Sequence, residues 1–316
     1  MKYLKDRFTA LWLKIPKPYP ALAKLATSYD SHLRKGAEIL FLGDSVVERI
    51  SWHDTDKRTL GQMTADALSN RNHMLCIAHA AYHFRIYYYL LNILRSTRNK
   101  PELVILPINM RCFSPQWDLN PSWQFEEEIR YLKAYPETRK VPAIRHNADA
   151  LTFSDTERNQ ELDLPFTDLK RIGQFLDLIK NIPSDPEGMF QRRKQIYIFH
   201  YLNPLQRDHR RLAYLGKILD LMNELNIRTI LYITPMNYEG GRKHVGDGFM
   251  KIIRSNAAII QGHILPWLGK GQIGFMDFQE LLTPENFFHI DELTEHLNQF
   301  GRMKLAQALV CEIEKV

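Results

Sequence analysis

The apolar run Ile39-Leu40-Phe41-Leu42 stops at Gly43-Asp44-Ser45, and Val46-Val47-Glu48-Arg49-Ile50 then reads as the start of a helix. A strand that turns directly into a helix leaves the serine hydroxyl at the strand's C-terminal edge. There, free backbone N–H groups favour developing negative charge. Nucleophilic acyl chemistry needs that arrangement. Asp-Ser is also a common helix N-cap, so the serine needs partners elsewhere in the chain. Three blocks offer them. Val104-Ile105-Leu106-Pro107-Ile108 ends at Asn109, whose amide N–H can face an oxyanion. Cys76-Ile77-Ala78-His79-Ala80-Ala81-Tyr82 follows a second apolar run with small residues, so a backbone N–H there can be a further donor. His296-Leu297-Asn298-Gln299-Phe300-Gly301 opens the last helical segment, preceded by Asp291 and Glu292. A histidine titrating near neutrality can take the serine's proton, and a carboxylate can orient it.

These residues need a scaffold that brings four distant segments to one edge. Ala37 to Leu42, Met74 to Ala78, Glu102 to Ile108, Thr229 to Ile233 and Ile273 to Phe278 read as five strands. Between them lie helical patterns from about Val46, over Phe84 to Arg95, Leu212 to Leu225 and Phe249 to Ile264, with Leu297 to Glu314 closing the chain. Strands alternating with helices imply parallel pairing and right-handed crossovers. The expected fold class is a three-layer α/β/α sandwich on a five-stranded parallel sheet, with its site at the strands' C-terminal ends. Residues 114–211 break the alternation. They are rich in Trp, Pro and charge, and read as a mostly helical insertion between the third and fourth strands. Such an insertion serves either a substrate site or a partner surface. The domain expectation is one domain over 1–316, with an N-terminal helical extension at 1–30.

Taken in order, these blocks resemble the SGNH (GDSL-like) hydrolase superfamily. The resemblance covers about Ala37 to Asn109 and Thr229 to the C-terminus. Its specific parts are Gly43-Asp44-Ser45 and His296-Leu297-Asn298-x-x-Gly301. It implies Ser45 as nucleophile, His296 as general base, and Ser45 N–H and Asn109 as oxyanion donors. At two positions the chain departs from the family pattern. The glycine of the second block is missing, so Ala78, Ala80 or Ala81 must stand in, with Ala81 taken for the site. Three residues before His296 stands Leu293 rather than Asp. Asp291 is then the favoured acid over Glu292, a Ser–His dyad is the alternative, and His289 is a rival base. The resemblance implies an esterase or O-acyltransferase working through an acyl-enzyme on an acetylated carbohydrate or cell-surface polysaccharide. A lipid ester is the second substrate class, and a non-catalytic binding protein on the same fold is the rival function.

Asp44, His83 and Asn237 are candidate substrate-binding residues by their places beside the strand ends. Each has a plainer reading, as turn, loop or cap residue. Gly240-Gly241 and Gly246-x-Gly248 match no phosphate-binding fingerprint. The 316 residues carry a net charge of +6, which suits an acidic glycan or an anionic membrane surface touched by the basic N-terminal segment. No nucleic-acid motif accompanies the charge. Cys76, Cys112 and Cys311 form neither a disulfide framework nor a metal-ligand spacing, which points to a reducing, cytoplasmic compartment and to no metal. No cofactor is expected, although acetyl-CoA is a candidate acyl donor if the reaction is a transfer.

Overall fold

The computed structural model describes residues 38–68, 74–138, 153–162, 164–165, 167–268, 272–290 and 295–315. The expected N-terminal helical extension and Asp291 lie outside them. Five strands form one parallel sheet: β1 (Ile39–Gly43), β2 (Met74–Ala78), β3 (Leu103–Ile108), β4 (Arg228–Ile233) and β5 (Ile273–Asp277), in the order β2-β1-β3-β4-β5. All four pairings are parallel. The strands read as continuous apolar runs because both sheet faces are covered. Alternate residues go to opposite layers. Leu40, Leu42, Val104, Leu106, Leu231 and Ile233 enter one core, and Ile39, Phe41, Leu103, Ile105, Ile230 and Tyr232 the other.

The helices follow the connections. After β1 come α1 (Ser45–Glu48) and α2 (Leu60–Ala67); after β2 comes α3 (Phe84–Asn92). Between β3 and β4 lie α4 (Pro115–Leu119), α5 (Glu126–Thr138), α6 (Asp155–Arg158), α7 (Ile172–Asn181), α8 (Pro186–Tyr201) and α9 (Arg210–Glu224). After β4 come α10 (Tyr238–Val245) and α11 (Gly248–Leu268), and α12 (Gln299–Lys315) closes the chain. Apolar residues of α3, α9 and α11 pack on one face of the sheet, and those of α2 and α12 on the other. The result is the three-layer α/β/α sandwich that the alternation implies. No helix among the described residues is long and apolar enough to cross a membrane.

Two departures from expectation have local causes. The helix after Ser45 lasts a single turn, because Arg49 is already extended at φ −78°, ψ 146°. The next helix instead starts at a capping box formed by Thr59 and Gln62. Pro107 sits in the middle strand without an N–H to donate. It is tolerated because β1 pairs with β3 only as far as Phe41↔Ile105, leaving Pro107 paired with Tyr232 of β4 alone.

The strand order reverses between β1 and β3, since the chain leaves β1 toward β2 and returns to the other side of β1. Crevices in open α/β sheets form at such a point, outside the strands' C-terminal ends. Ser45 follows β1 there and Asn109 follows β3.

Candidate active site

Gly43 and Asp44 set the position of Ser45. A Cβ at residue 43 would lie 2.4 Å from Val47 Cβ, so only glycine lets β1 turn this closely into α1. Asp44 caps the turn: its Oδ1 accepts from Val46 N–H at 2.8 Å. Ser45 thus begins α1, and His296 Nε2 lies 3.0 Å from its Oγ. The two residues are separated by 251 positions in the chain. That distance suits a nucleophile and its base.

The His296-Leu297-Asn298-x-x-Gly301 pattern is a device for holding the histidine. Leu297 is buried and bridges antiparallel to Phe287. Asn298 Nδ2 donates to the Glu285 and Phe287 carbonyls at 2.6 and 3.1 Å, while its Oδ1 accepts from Phe300 and Gly301 N–H at 3.0 and 3.1 Å. One side chain therefore caps α12 and ties it to the preceding loop. Burial is the main cause that drops the His296 pKa to about 4, against an upward pull from Glu295 and downward pushes from Arg111, Arg49 and His289. The ring is neutral, and so able to accept a proton, through the whole physiological range.

Ala81 takes a left-handed backbone conformation. Its φ is +64°, a conformation unusual for alanine, and it is buried. The loop carrying it runs beside the turn that ends β1: His79 N–H donates to Gly43 C=O, and Ala80 N–H to Glu48 Oε2 at 2.9 Å. Among the described residues Ala81 N–H meets no acceptor.

Asn109 is buried, and both ends of its amide are engaged. Its Oδ1 accepts from Arg111 N–H at 3.0 Å. Its Nδ2 donates to Asp44 Oδ2 at 2.7 Å and, at 3.4 Å, to Glu295 Oε1. Asp44 is fully enclosed. Burial raises its pKa to about 7 against the Val46 and Asn109 hydrogen bonds, with the nearby Glu295 charge adding to the rise. Glu295 goes the other way. Burial alone would raise it, but Arg111, the His296 charge and the Tyr201 hydroxyl together hold it at about 2. Two carboxyls around one amide thus differ in charge in the mildly acid range, where Glu295 is ionised and Asp44 protonated.

Other expected residues have different surroundings. His83 caps α3 and is buried. Its Nε2 donates to Trp123 C=O at 2.7 Å, and its Nδ1 accepts from Arg211 Nη1 at 2.7 Å, a tautomer assigned from these partners. Asn237 caps α10 and holds the loop before the histidine through the His289 and Ile290 carbonyls at 3.4 and 2.6 Å. Both side chains are committed to the scaffold. No three His, Cys, Asp or Glu side chains among the described residues gather as a metal site. Glu295, absent from the sequence reading, lies at the centre of the polar cluster. Its adjacency to His296 was visible, but nothing local distinguished it from Asp291 and Glu292.

No family model matches the chain, and no curated protein is similar to it in sequence. Solved structures similar to it include acetylxylan esterase Axe2 from Geobacillus stearothermophilus. That protein is 15% identical, with 88% of this chain and 94% of the other covered and a TM-score of 0.42. A carbohydrate acetylesterase family member from Sinorhizobium meliloti is 8% identical, over 88% and 98% of the two chains, also at a TM-score of 0.42.

Proposed function

We propose that this chain is a serine ester hydrolase of the SGNH type, acting on O-acetylated carbohydrate. The observation that carries the reading is the 3.0 Å approach of His296 Nε2 to Ser45 Oγ at the strand-order reversal. His296 takes the Ser45 proton as Oγ bonds to the ester carbonyl carbon, and then gives it to the departing alcohol. The acyl group stays on Oγ until water, deprotonated by the same ring, releases it as a carboxylate. Negative charge on the carbonyl oxygen meets the backbone N–H groups of Ser45 and Ala81. The Asn109 N–H that stands 3.4 Å from Glu295 is the one an oxyanion would recruit, since its present bond is long.

Asp291 remains the proposed orienting acid. The glycan assignment is supported by the exposed Arg49, whose charge is felt at His296, and by the net charge of +6, both of which suit an acidic saccharide. A sugar hydroxyl in place of water would make the same residues an O-acyltransferase.

The test is p-nitrophenyl acetate turnover and fluorophosphonate labelling by wild type and Ser45→Ala, repeated with acetylated oligosaccharides and with unacetylated acceptors. Serine-dependent acetate release indifferent to acceptors is the expected result. Diversion of acetyl to an acceptor would make the enzyme a transferase. No labelling of folded wild-type protein would leave a binding module.

A further inference from the structure

We infer that Glu295 is a positioning residue for His296 and Asn109, acting through a buried ion-pair cluster built with the helices between β3 and β4; this rests on the reading of the site as a serine esterase. The Glu295 side chain is 1% exposed and that of its partner Arg111 17%. Glu295 Oε1 accepts from Arg111 Nη1 at 2.7 Å and from Asn109 Nδ2 at 3.4 Å, and Oε2 accepts from the Tyr201 hydroxyl at 2.8 Å. Tyr201 is the last residue of α8, and Arg111 lies in the 3₁₀ turn after β3, its guanidinium 5.5 Å from the centre of the Trp117 ring in α4. Three donors from two segments, the turn after β3 and the end of α8, therefore meet one carboxylate.

Two consequences follow from where that carboxylate sits. Glu295 is the peptide neighbour of His296, so clamping its side chain restrains the backbone from which the imidazole hangs. Its charge also faces a ring that must become imidazolium during each turnover. Among the groups whose charge reaches His296, Arg111, Arg49 and His289 oppose protonation. Glu295 favours it. A fixed anion beside a developing cation stabilises it without reorganising. Arg111 completes the arrangement by donating its backbone N–H to Asn109 Oδ1, so that the same cluster sets the amide at both ends. A buried ion pair contributes little net stability over apolar packing, which makes a functional role the better explanation for its presence.

The experiment compares wild type, Glu295→Gln, Tyr201→Phe and the double variant Arg111→Met/Glu295→Gln. Readouts are kcat and KM on p-nitrophenyl acetate, thermal melting, and the NMR signal of the His296 imidazole at pH 4. The wild-type ring is about half protonated at that pH, from its pKa near 4. Glu295→Gln is expected to leave it neutral there and to lower kcat at least about tenfold with KM nearly unchanged. Tyr201→Phe keeps the charge and loosens the clamp, so kcat falls a few-fold while the imidazole signal stays as in wild type. The double variant removes both buried charges and so retains the fold even where Glu295→Gln does not; its kcat stays low. Wild-type kcat in the double variant, or a Glu295→Gln protein that merely melts earlier with kcat and imidazole signal intact, would overturn the inference. If wild type shows no Ser45-dependent turnover, the esterase reading fails by itself, and the imidazole signal still decides whether Glu295 acts on His296.

Discussion

Gly301 lies against the Asn286 carbonyl so closely that a Cβ at 301 would stand 2.2 Å from that oxygen. The contact joins the first turn of α12 to the loop leading to His296, the loop that Asn298 also holds. Gly301→Ala must push the two apart, and backbone cannot yield as a side-chain tip would. The expected cost is about 1–3 kcal/mol of stability, as for other overpacked sites. Because the displaced loop holds His296, the proposed base, kcat should fall more than melting temperature alone explains at a temperature where the variant is fully folded. Urea unfolding alongside turnover measures both; wild-type kcat in a destabilised variant would confine the glycine to folding.

A histidine base with an ordinary pKa of about 6.5 would lose kcat/KM through the mildly acid range. Burial moves that limb. With His296 near pH 4, kcat/KM should be flat from about pH 5 to 8 and halve near pH 4. A half-maximum near pH 6.5 would mean that the ring is more solvated in solution than its buried setting here implies. The profile is measured on p-nitrophenyl acetate in short assays.

The strands were legible because full burial writes itself as uninterrupted apolar sequence, and the turn carrying Ser45, the proposed nucleophile, was legible because a strand, a glycine and a serine are adjacent in the chain. Two helices were not. The capping box at Thr59 and Gln62 starts α2 apart from the apolar pattern that begins at Val46. The pair Gly240-Gly241 hides α10 behind low helix propensity, yet tertiary packing requires it. Cβ atoms there would lie 2.6 Å from Tyr197 Oη and 2.3 Å from Phe249 Cε1. Asn237 was visible as a residue at a strand end, but its role as bracket for the 289–290 carbonyls depends on a loop some fifty positions away. The cluster of Arg111, Tyr201 and Glu295 carries no sequence pattern, since its members meet only in the fold.

Arg211 has an exposure of 1% and is held by Asp118 at 3.1 Å, by His83, and by the Trp117 carbonyl at 3.0 Å. Burial lowers its pKa to about 10, which still leaves it charged. Arg211→Met leaves Asp118, among the described residues, with the more exposed Arg210 and strips His83 and the Trp117 carbonyl of a donor. The expected loss is about 3–5 kcal/mol, the range for breaking a buried pair. The damage should centre on α4 and the start of α9, with Ser45 and His296 still in place. Fluorophosphonate labelling of the folded fraction at low temperature should therefore persist, while the urea midpoint drops. An unchanged midpoint would show that the cluster carries no net stability.

His200 in α8 is buried, and among the described residues its Nδ1 meets no partner. Burial, reinforced by Arg111, holds its pKa well below 6.5. His83 is depressed in the same way, by burial and then by Arg211. A group depressed on folding contributes stability above its unfolded pKa and loses it as pH falls toward the folded one. His296 adds the same sign between about pH 4 and 6.5, whereas Asp44, raised to about 7, has the opposite sign between about 3.8 and 7. Those two nearly cancel where they overlap, leaving His83 and His200 to dominate among the most buried groups. Stability should therefore fall as pH drops below about 6.5, and each of these histidines contributes about 1.4 kcal/mol per pH unit while its unfolded form is protonated. His200→Phe, similar in shape, should remove one such share of the slope. Urea unfolding at intervals from pH 5 to 7 measures it. Parallel slopes in wild type and His200→Phe would mean that His200 takes up its proton in the folded protein.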